Sequence, residues 1–279
     1  MNFFDKSLAE LVLVGAGPGD LELLTVKAWK VLQTATVILY DHLANPALLE
    51  LAPAACERIC VGKEPYGLST SQETIHALIR EKAPRGGVIV RLKGGDPFIF
   101  GRGFEEVLVA RELGMKVTYI PGITSMQTSG LTDIPLTHRA VSDGIWMLTG
   151  TKKDGALSAD LRLAMKSRST VVIYMGMKKL REIAAIYLQE GLGEMPAAII
   201  QHGSLSHQRM AVGVAAALPT MAEEYRLTHP AVIVIGEVVA VGRQRTGFLA
   251  VDAGADPLAR VPGGSEYEND LQAVAVDKK

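Results

Sequence analysis

Apolar residues in this chain fall into short, almost unbroken runs that give way to glycine, aspartate or proline; between the runs they recur at helical spacing. Residues 11–14 (LVLV), 36–40 (TVILY), 57–61 (ERICV), 87–92 (GVIVRL) and 116–120 (KVTYI) read as strands. Residues 21–34 carry Leu24, Ala28, Val31 and Leu32 on one helical face, residues 71–83 carry Ile75, Leu78 and Ile79, and residues 104–113 continue the helical pattern. Strands alternating with helices of this length imply βαβ units and a parallel sheet. Runs without polar alternation suit strands covered on both faces.

After residue 121 the character changes. Residues 121–136 (PGITSMQTSGLTDIPL) are dense in turn residues and mark a domain junction. Residues 144–149, 170–175, 195–201, 209–214 and 231–239 then read as strands, 177–190 as a helix with Leu180, Ile183, Ala184 and Leu188 on one face, and 218–224 as a short helix-like piece. The expected architecture is therefore α/β, with a parallel-sheet domain over residues 9–121 and a mixed-sheet α/β domain over 122–242. Residues 243–279, rich in Gly, Asp, Pro and charge, read as a flexible extension.

Composition narrows the function classes. Hydrophobic residues make up 48% of the 279, enough for a sizeable core. With 29 basic and 30 acidic residues the net charge is −1, and aromatics are only 5%, which speaks against a nucleic-acid partner. No apolar stretch is long enough to span a bilayer, and the first residues lack the pattern of a secretory signal, so no membrane association and a cytoplasmic location are expected. Cys56 and Cys60, four apart in an extended segment, would lie roughly 13 Å apart, too far for a disulfide. With no second pair and no histidine close in sequence they make a poor zinc site, and no metal is expected.

Two loops carry chemistry. Residues 91–103 (RLKGGDPFIFGRG) join a strand to a helix and pack glycine, apolar bulk and charge into one turn. At the carboxyl end of a parallel strand such a loop is where a ligand sits; the plain alternative is a turn whose Phe98, Ile99 and Phe100 plug the core. Residues 15–20 (GAGPGD) invite a dinucleotide-binding reading, with Asp41 near the place of a ribose-binding acid. Two features oppose it: Asp20 stands where the third glycine belongs, and Pro18 removes an N–H from the turn that would cradle a pyrophosphate.

GAGPGD, Tyr40-Asp41, VGK at 61–63, RLKGGDPFIFGRG, PGITS at 121–125, IPLTHR at 134–139 and IYMG at 173–176 follow one another in a set order. Together they resemble the tetrapyrrole (class III) S-adenosylmethionine methyltransferases, and within them the uroporphyrinogen-III C-methyltransferase family, over about residues 10–241. The resemblance implies two α/β domains holding S-adenosylmethionine in the cleft between them, and a homodimer. It implies two methyl transfers, at C2 and C7 of uroporphyrinogen III, giving precorrin-2 by way of precorrin-1 and releasing S-adenosylhomocysteine. That product feeds sirohaem, cobalamin or haem d1. Another precorrin methyltransferase of the same fold, or an RNA or diphthine-type methyltransferase, are the alternatives. No dehydrogenase–chelatase module is visible, so methylation alone is expected.

Carried over by motif, the cofactor contacts are Pro18, Gly94, Gly95, Asp96, Ile99, Thr124, Ser125, Met175 and Gly203. The proton acceptor and donor fall on Asp41 and Lys63. Arg102, Glu105 and Arg139 fall where the family meets its substrate, with Arg102 and Glu105 also counted among the catalytic group and Lys63 among the substrate contacts. The chemistry suits these types. Methyl transfer from a sulfonium needs alignment and a base, not a metal; a substrate with eight carboxylates calls for arginine and lysine, with Arg91 and Lys93 in reserve. Each residue has a structural alternative: Asp96 as a cap of its turn, Asp41 as a helix cap, Lys63 as a surface lysine, Glu105 as a helix-dipole partner, Arg102 paired with Glu105 or Glu106, Met175 as core. The chain departs from the family pattern at His42, where arginine is usual after the aspartate, at Phe104, where glycine is common, and over residues 64–71.

Overall fold

The computed structural model describes residues 8–62 and 70–241. Lys63 and the expected extension at 243–279 lie outside the described residues.

The first half is β1 (Glu10–Gly15), α1 (Val26–Leu32), β2 (Val37–Tyr40), β3 (Glu57–Cys60), α2 (Gln72–Lys82), β4 (Val88–Lys93), α3 (Gly103–Glu112) and β5 (Val117–Ile120). Its five strands form one parallel sheet in the order β3-β2-β4-β1-β5. The second half is β6 (Ile145–Thr149), α4 (Leu161–Ala164), β7 (Thr170–Tyr174), α5 (Leu180–Gln189), β8 (Pro196–Gln201), β9 (Arg209–Val214), α6 (Leu218–Glu224), β10 (Ala231–Ile235) and α7 (Val238–Val241). Its strands run β6-β7-β10-β8-β9, with β6 and β7 parallel and the other pairs antiparallel.

The continuous apolar strands of the first sheet are covered on both faces. Period-two geometry sends Val12, Val14, Ile38, Val90 and Leu92 to one face, against Ala28, Leu32 and Leu48. Leu11, Leu13, Leu39 and Ile89 go to the other, against Ile75 and Ile79 of α2 and Val107 and Ala110 of α3. In the second sheet Ile173, Ile199 and Ile233 pack against Ile183 and Tyr187 of α5, and Val172, Ala198 and Val232 face Ile134, Val238 and Val239.

Three local differences from the predicted elements have clear causes. The helix expected over 21–34 is a 3₁₀ turn at Leu21–Leu23 and then α1, because two caps follow in quick succession: Asp20 accepts from Glu22 N at 2.9 Å and Thr25 from Ala28 N at 3.2 Å, with extended Leu24 between. The strand expected over 231–239 ends at Ile235, because Gly236 takes φ +147° and turns the chain into α7. The junction is ordered as a 3₁₀ helix, Ser125–Thr132, opened by a capping box between Thr124 and Gln127.

Because the strands are parallel, all their carboxyl ends lie on one edge of the sheet, and so do the loops after them. GAGPGD, Tyr40-Asp41, Gly62, GGDPFIF and PGITS therefore converge from positions between residues 15 and 125. Their backbones come very close. A Cβ added to Gly122 would fall on Gly95 O and 2.7 Å from Gly15 Cα; one on Gly15 would fall 2.7 Å from Gly95 O. Gly122→Ala forces backbone against backbone, and overpacking of this kind costs about 1–3 kcal/mol. A urea titration of Gly122→Ala should show that loss, whereas Gly130→Ala, where an added Cβ meets nothing within 4 Å, should lie within about 1 kcal/mol of the parent.

Candidate active site

Two glycine loops are stitched together at the sheet edge. Gly17 N donates to Gly95 O at 3.2 Å and Gly95 N to Gly17 O at 2.8 Å, with Gly17 at φ +74° and Gly95 at φ +64°. A side chain at Gly95 would project toward Thr124 Cα and Oγ1, 3.8 and 3.9 Å away, without collision. An added Cβ would make only ordinary van der Waals contact there, so Gly95 is demanded by its left-handed backbone and its pairing with Gly17, not by crowding. Gly94 is different: a Cβ there would fall 2.6 Å from Leu43 Cβ, so its glycine serves packing.

Asp96 is 5% exposed and its carboxylate is engaged. Oδ1 accepts from Phe98 N at 2.8 Å; Oδ2 accepts from Tyr119 O–H at 2.6 Å and Gly122 N at 3.1 Å. It caps its own turn and also ties GGDPFIF to PGITS. The loop is not a core plug. Phe98 and Phe100 are about 40% exposed; Phe98 stacks on Tyr119 (4.2 Å, 10°) and Phe100 leans on Tyr174 across the cleft at 5.1 Å.

The second half supplies the facing wall. Thr124 Oγ1 lies 2.7 Å from Tyr174 O–H, which also accepts from Met126 N at 3.1 Å. Ser204 Oγ accepts from Asp20 N at 3.2 Å, joining GAGPGD to the loop after β8. Gly203 is required there because a Cβ would strike the Thr128 hydroxyl. Met175 is half exposed at φ +55°, its carbonyl accepting from Thr151 O–H at 3.0 Å, so it is not core. Of the seven non-glycine residues with positive φ among the described residues, Phe100, Arg102, Met175, His202 and Ser204 sit in these loops. Backbone cost is concentrated at the cleft, as at functional sites generally. Pro18, Ile99 and Ser125 lie in the same converging loops, partly buried.

Beneath the first wall lies a buried charge cluster. Period two puts Arg91 and Lys93 of β4, and Asp41 after β2, on the α3 side of the sheet, at the level where Glu106 of α3 points in. Arg91 is 1% exposed. Its Nη2 donates to Asp41 Oδ1 at 2.6 Å, its Nη1 to Leu39 O and Leu92 O, and its Nε to Glu106 Oε1 at 3.2 Å. Lys93 Nζ donates to Glu106 Oε1 at 3.2 Å and lies 3.6 Å from Asp41 Oδ2. Gln72 of α2 adds a bond to Glu106 Oε1 at 3.3 Å. Glu106 Oε2 pairs with Arg91 Nε by distance, 3.1 Å, without the alignment of a hydrogen bond. Burial and the Arg91 charge push the Lys93 ammonium below the usual lysine range. Asp41, one quarter exposed, is the member that reaches solvent; its carboxylate pairs with Arg91, and Asn45, not Asp41, caps the helix that follows. Arg91 and Lys93, reserve substrate cations on sequence grounds, are thereby removed from the surface; their spacing of two within a buried strand was the available signal.

Arg102 and Glu105 are exposed and bonded to each other, at 2.8 and 2.7 Å. The Arg102 hydrogen bond holds the Glu105 carboxyl below its ordinary range. An exposed pair is worth about 0–1 kcal/mol, so Arg102 is released to another carboxylate at little cost. Arg139 is exposed in the turn after buried Ile134. His42 departs from the reading of Cys60 as remote from histidine: its Nε2 lies 3.6 Å from Cys60 Sγ. No group of three metal-ligating side chains occurs among the described residues. The groove between α1 and the amino ends of β1 and β4, lined by Glu10, Lys27 and Val31, is at the opposite edge of the sheet and contains none of the predicted residues.

Residues 10–219 match the tetrapyrrole (corrin/porphyrin) methylases. The chain belongs to that family. The tetrapyrrole methylase is similar to the crystal structure of uroporphyrin-III C-methyltransferase from Thermus thermophilus complexed with S-adenosylhomocysteine, with a TM-score of 0.73 and 38% identity, covering 84% of this chain and 100% of that one. It is 38% identical over 260 residues to a sirohaem synthase of Thiobacillus denitrificans, covering 92% of this chain and 54% of the relative, and 40% identical over 229 residues to one of Chromobacterium violaceum, 81% and 49%. The chain thus spans about half the length of these curated relatives. A cobalt precorrin-4 methyltransferase (21% identity, TM-score 0.73) and a diphthine synthase (16%, 0.56) share the fold. No helix of the described methylase is long and apolar enough to cross a membrane.

Burial and the hydrogen bond to Asp96 push the Tyr119 phenol up to about 12 from 10.0. A folded value above the unfolded one means the stabilisation is complete below pH 10 and is lost as pH rises toward 12. Thermal melts across that window should show the parent methylase losing stability more steeply than Tyr119→Phe. Equal slopes would remove the Tyr119–Asp96 bond as a determinant of the loop.

Proposed function

We propose that this chain is a uroporphyrinogen-III C-methyltransferase. It methylates C2 and then C7 of uroporphyrinogen III, giving precorrin-2 by way of precorrin-1, for sirohaem, cobalamin or haem d1. The observation that carries the reading is the convergence of the paired Gly17 and Gly95 loops with Thr124, itself bonded to Tyr174 of the second sheet, in a family member 38% identical to an enzyme crystallised with S-adenosylhomocysteine. We assign the cofactor to Pro18, Gly94, Gly95, Asp96, Ile99, Thr124, Ser125, Met175 and Gly203. Within that set Asp96 acts by fixing the loop, since its carboxylate is already bonded three times, and Gly203 acts by letting the loop after β8 approach Thr128.

The bound cofactor supplies an electrophilic methyl group on a sulfonium. The chain's residues align the pyrrole carbon that attacks it and remove the proton that the alkylated ring must lose. Asp41 is the proton acceptor: it is one quarter exposed, and buried Arg91 holds one of its oxygens. Lys63 is the proton donor. Arg102 and Arg139, both exposed, take substrate carboxylates, with Arg102 exchanging Glu105 for its ligand. The reading includes two domains meeting near residue 121, a homodimer and a cytoplasmic enzyme.

Purified protein with S-adenosylmethionine should convert uroporphyrinogen III to a dimethylated product, read by mass. Asp41→Asn should lower turnover about 100- to 10,000-fold, the range for removing a general base, with S-adenosylhomocysteine affinity kept within a few-fold by calorimetry. Cofactor binding without turnover of uroporphyrinogen III, but with turnover of a later precorrin, would replace this substrate with that one.

A further inference from the structure

Arg91, Lys93 and Glu106 are buried together at the carboxyl edge of the first sheet, beside the quarter-exposed Asp41, and two of them, Lys93 and Glu106, have no place in the chemistry above. Glu106 is completely buried, so neither substrate nor cofactor touches it. Buried ion clusters seldom stabilise a fold better than well-packed apolar residues do. Elsewhere that face of the sheet is filled by Leu11, Leu13, Leu39 and Ile89. A function for the charge is therefore the better account.

The distances say which function. Arg91 donates to Glu106 and to two backbone carbonyls, and its remaining bond goes to Asp41 Oδ1. Lys93 stands between two carboxylates, ion-paired with both but hydrogen-bonded to only one: 3.2 Å from Glu106, 3.6 Å from Asp41 Oδ2. Glu106 thus draws Lys93 back. We propose that Glu106 is a positioning residue that withholds Lys93 from Asp41, so that Asp41 Oδ1 is oriented by Arg91 while Oδ2 stays open to the cleft as the proton-accepting oxygen. This deepens the reading of Asp41 as the base and rests on it.

Neutralising Glu106 leaves two cations to one carboxylate. Lys93 then closes on Oδ2, which blocks the acceptor and holds Asp41 more firmly as the anion. The charged and titratable groups around Asp41 are Arg91 and Lys93 from β4, Glu106 from α3, and His42 in its own loop; His76 of α2 approaches through Gln72, at 3.2 Å, and Cys60 through His42. None of these replaces Glu106 as a partner for Lys93.

The test is steady-state methylation of uroporphyrinogen III by the full chain across pH, with S-adenosylhomocysteine binding by calorimetry and thermal melting alongside. For Glu106→Gln we expect kcat to fall at least 10-fold, its acid limb to move to lower pH, and KM for S-adenosylmethionine and S-adenosylhomocysteine affinity to stay within about threefold. The charge-balanced Glu106→Gln/Lys93→Met variant should recover at least fivefold of the lost kcat. A scaffold role predicts instead that cofactor affinity falls and that the second substitution deepens the loss of melting temperature without recovering kcat, and that outcome overturns the proposal. So does a Glu106→Gln enzyme with kcat within twofold of the parent. If Glu106→Gln does not fold, Glu106→Asp, one methylene short of both cations, decides in the same way by its kcat at unchanged cofactor affinity. Full activity in Asp41→Asn would instead remove the base assignment itself, separately from any result at Glu106.

Discussion

The contact on which this molecule depends is between backbones. At the carboxyl edge of the parallel sheet the ends of β1 and β4 and the turn after β5 approach so closely that Gly15, Gly95 and Gly122 leave no room for a Cβ on Gly15 or Gly122. Asp96 secures the arrangement through Tyr119 and Gly122 N, and the paired hydrogen bonds between Gly17 and Gly95 hold the two glycine loops in register. These bonds, from 2.6 to 3.2 Å, cross-link three separate loops into one wall. A wall of backbone can meet a ligand at contact distance without ordering side chains first.

Charge is distributed around that wall in two different ways. Arg91, Lys93 and Glu106 are buried and hydrogen-bonded, and removing one partner from such a cluster costs about 3–5 kcal/mol because the others are left uncompensated. Arg102 and Glu105 are exposed and exchangeable. Buried charge holds a geometry and exposed charge meets a partner. Asp41 belongs to both groups, tied to buried Arg91 yet one quarter exposed.

Much of this was legible along the chain. Unbroken apolar runs at 11–14, 36–40 and 87–92 read correctly as two-faced strands, and the turn chemistry of GAGPGD and GGDPFIF marked the loops that face the cleft. The order of motifs was specific enough to identify the family. Apolar spacing runs on through Leu24 and so predicts one helix over 21–34, but spacing does not register that Asp20 and Thr25 each cap a separate helix. The strand at 231–239 was read too long because its apolar character runs on into α7, and only the backbone at Gly236 interrupts it. For Phe98 and Phe100 the sequence favours a ligand loop with a core plug as the alternative; their partners, Tyr119 and Tyr174, come from other strands, and one of those lies in the other sheet.

By itself the sequence determined the secondary elements, the parallel character of the first sheet and the chemistry of the loops. Those follow from local propensity, period and turn residues, which act over a few positions. Only the tertiary structure decided how charged residues divide their roles. Arg91, Lys93, Arg102 and Arg139 are all cations near glycine loops, and nothing local distinguishes them. Burial under α3 turns two of them inward to Asp41 and Glu106, and the lack of such cover leaves the other two in solvent. The free energy of a charge depends on what surrounds it at long range in sequence and short range in space, and that information appears when the fold has closed.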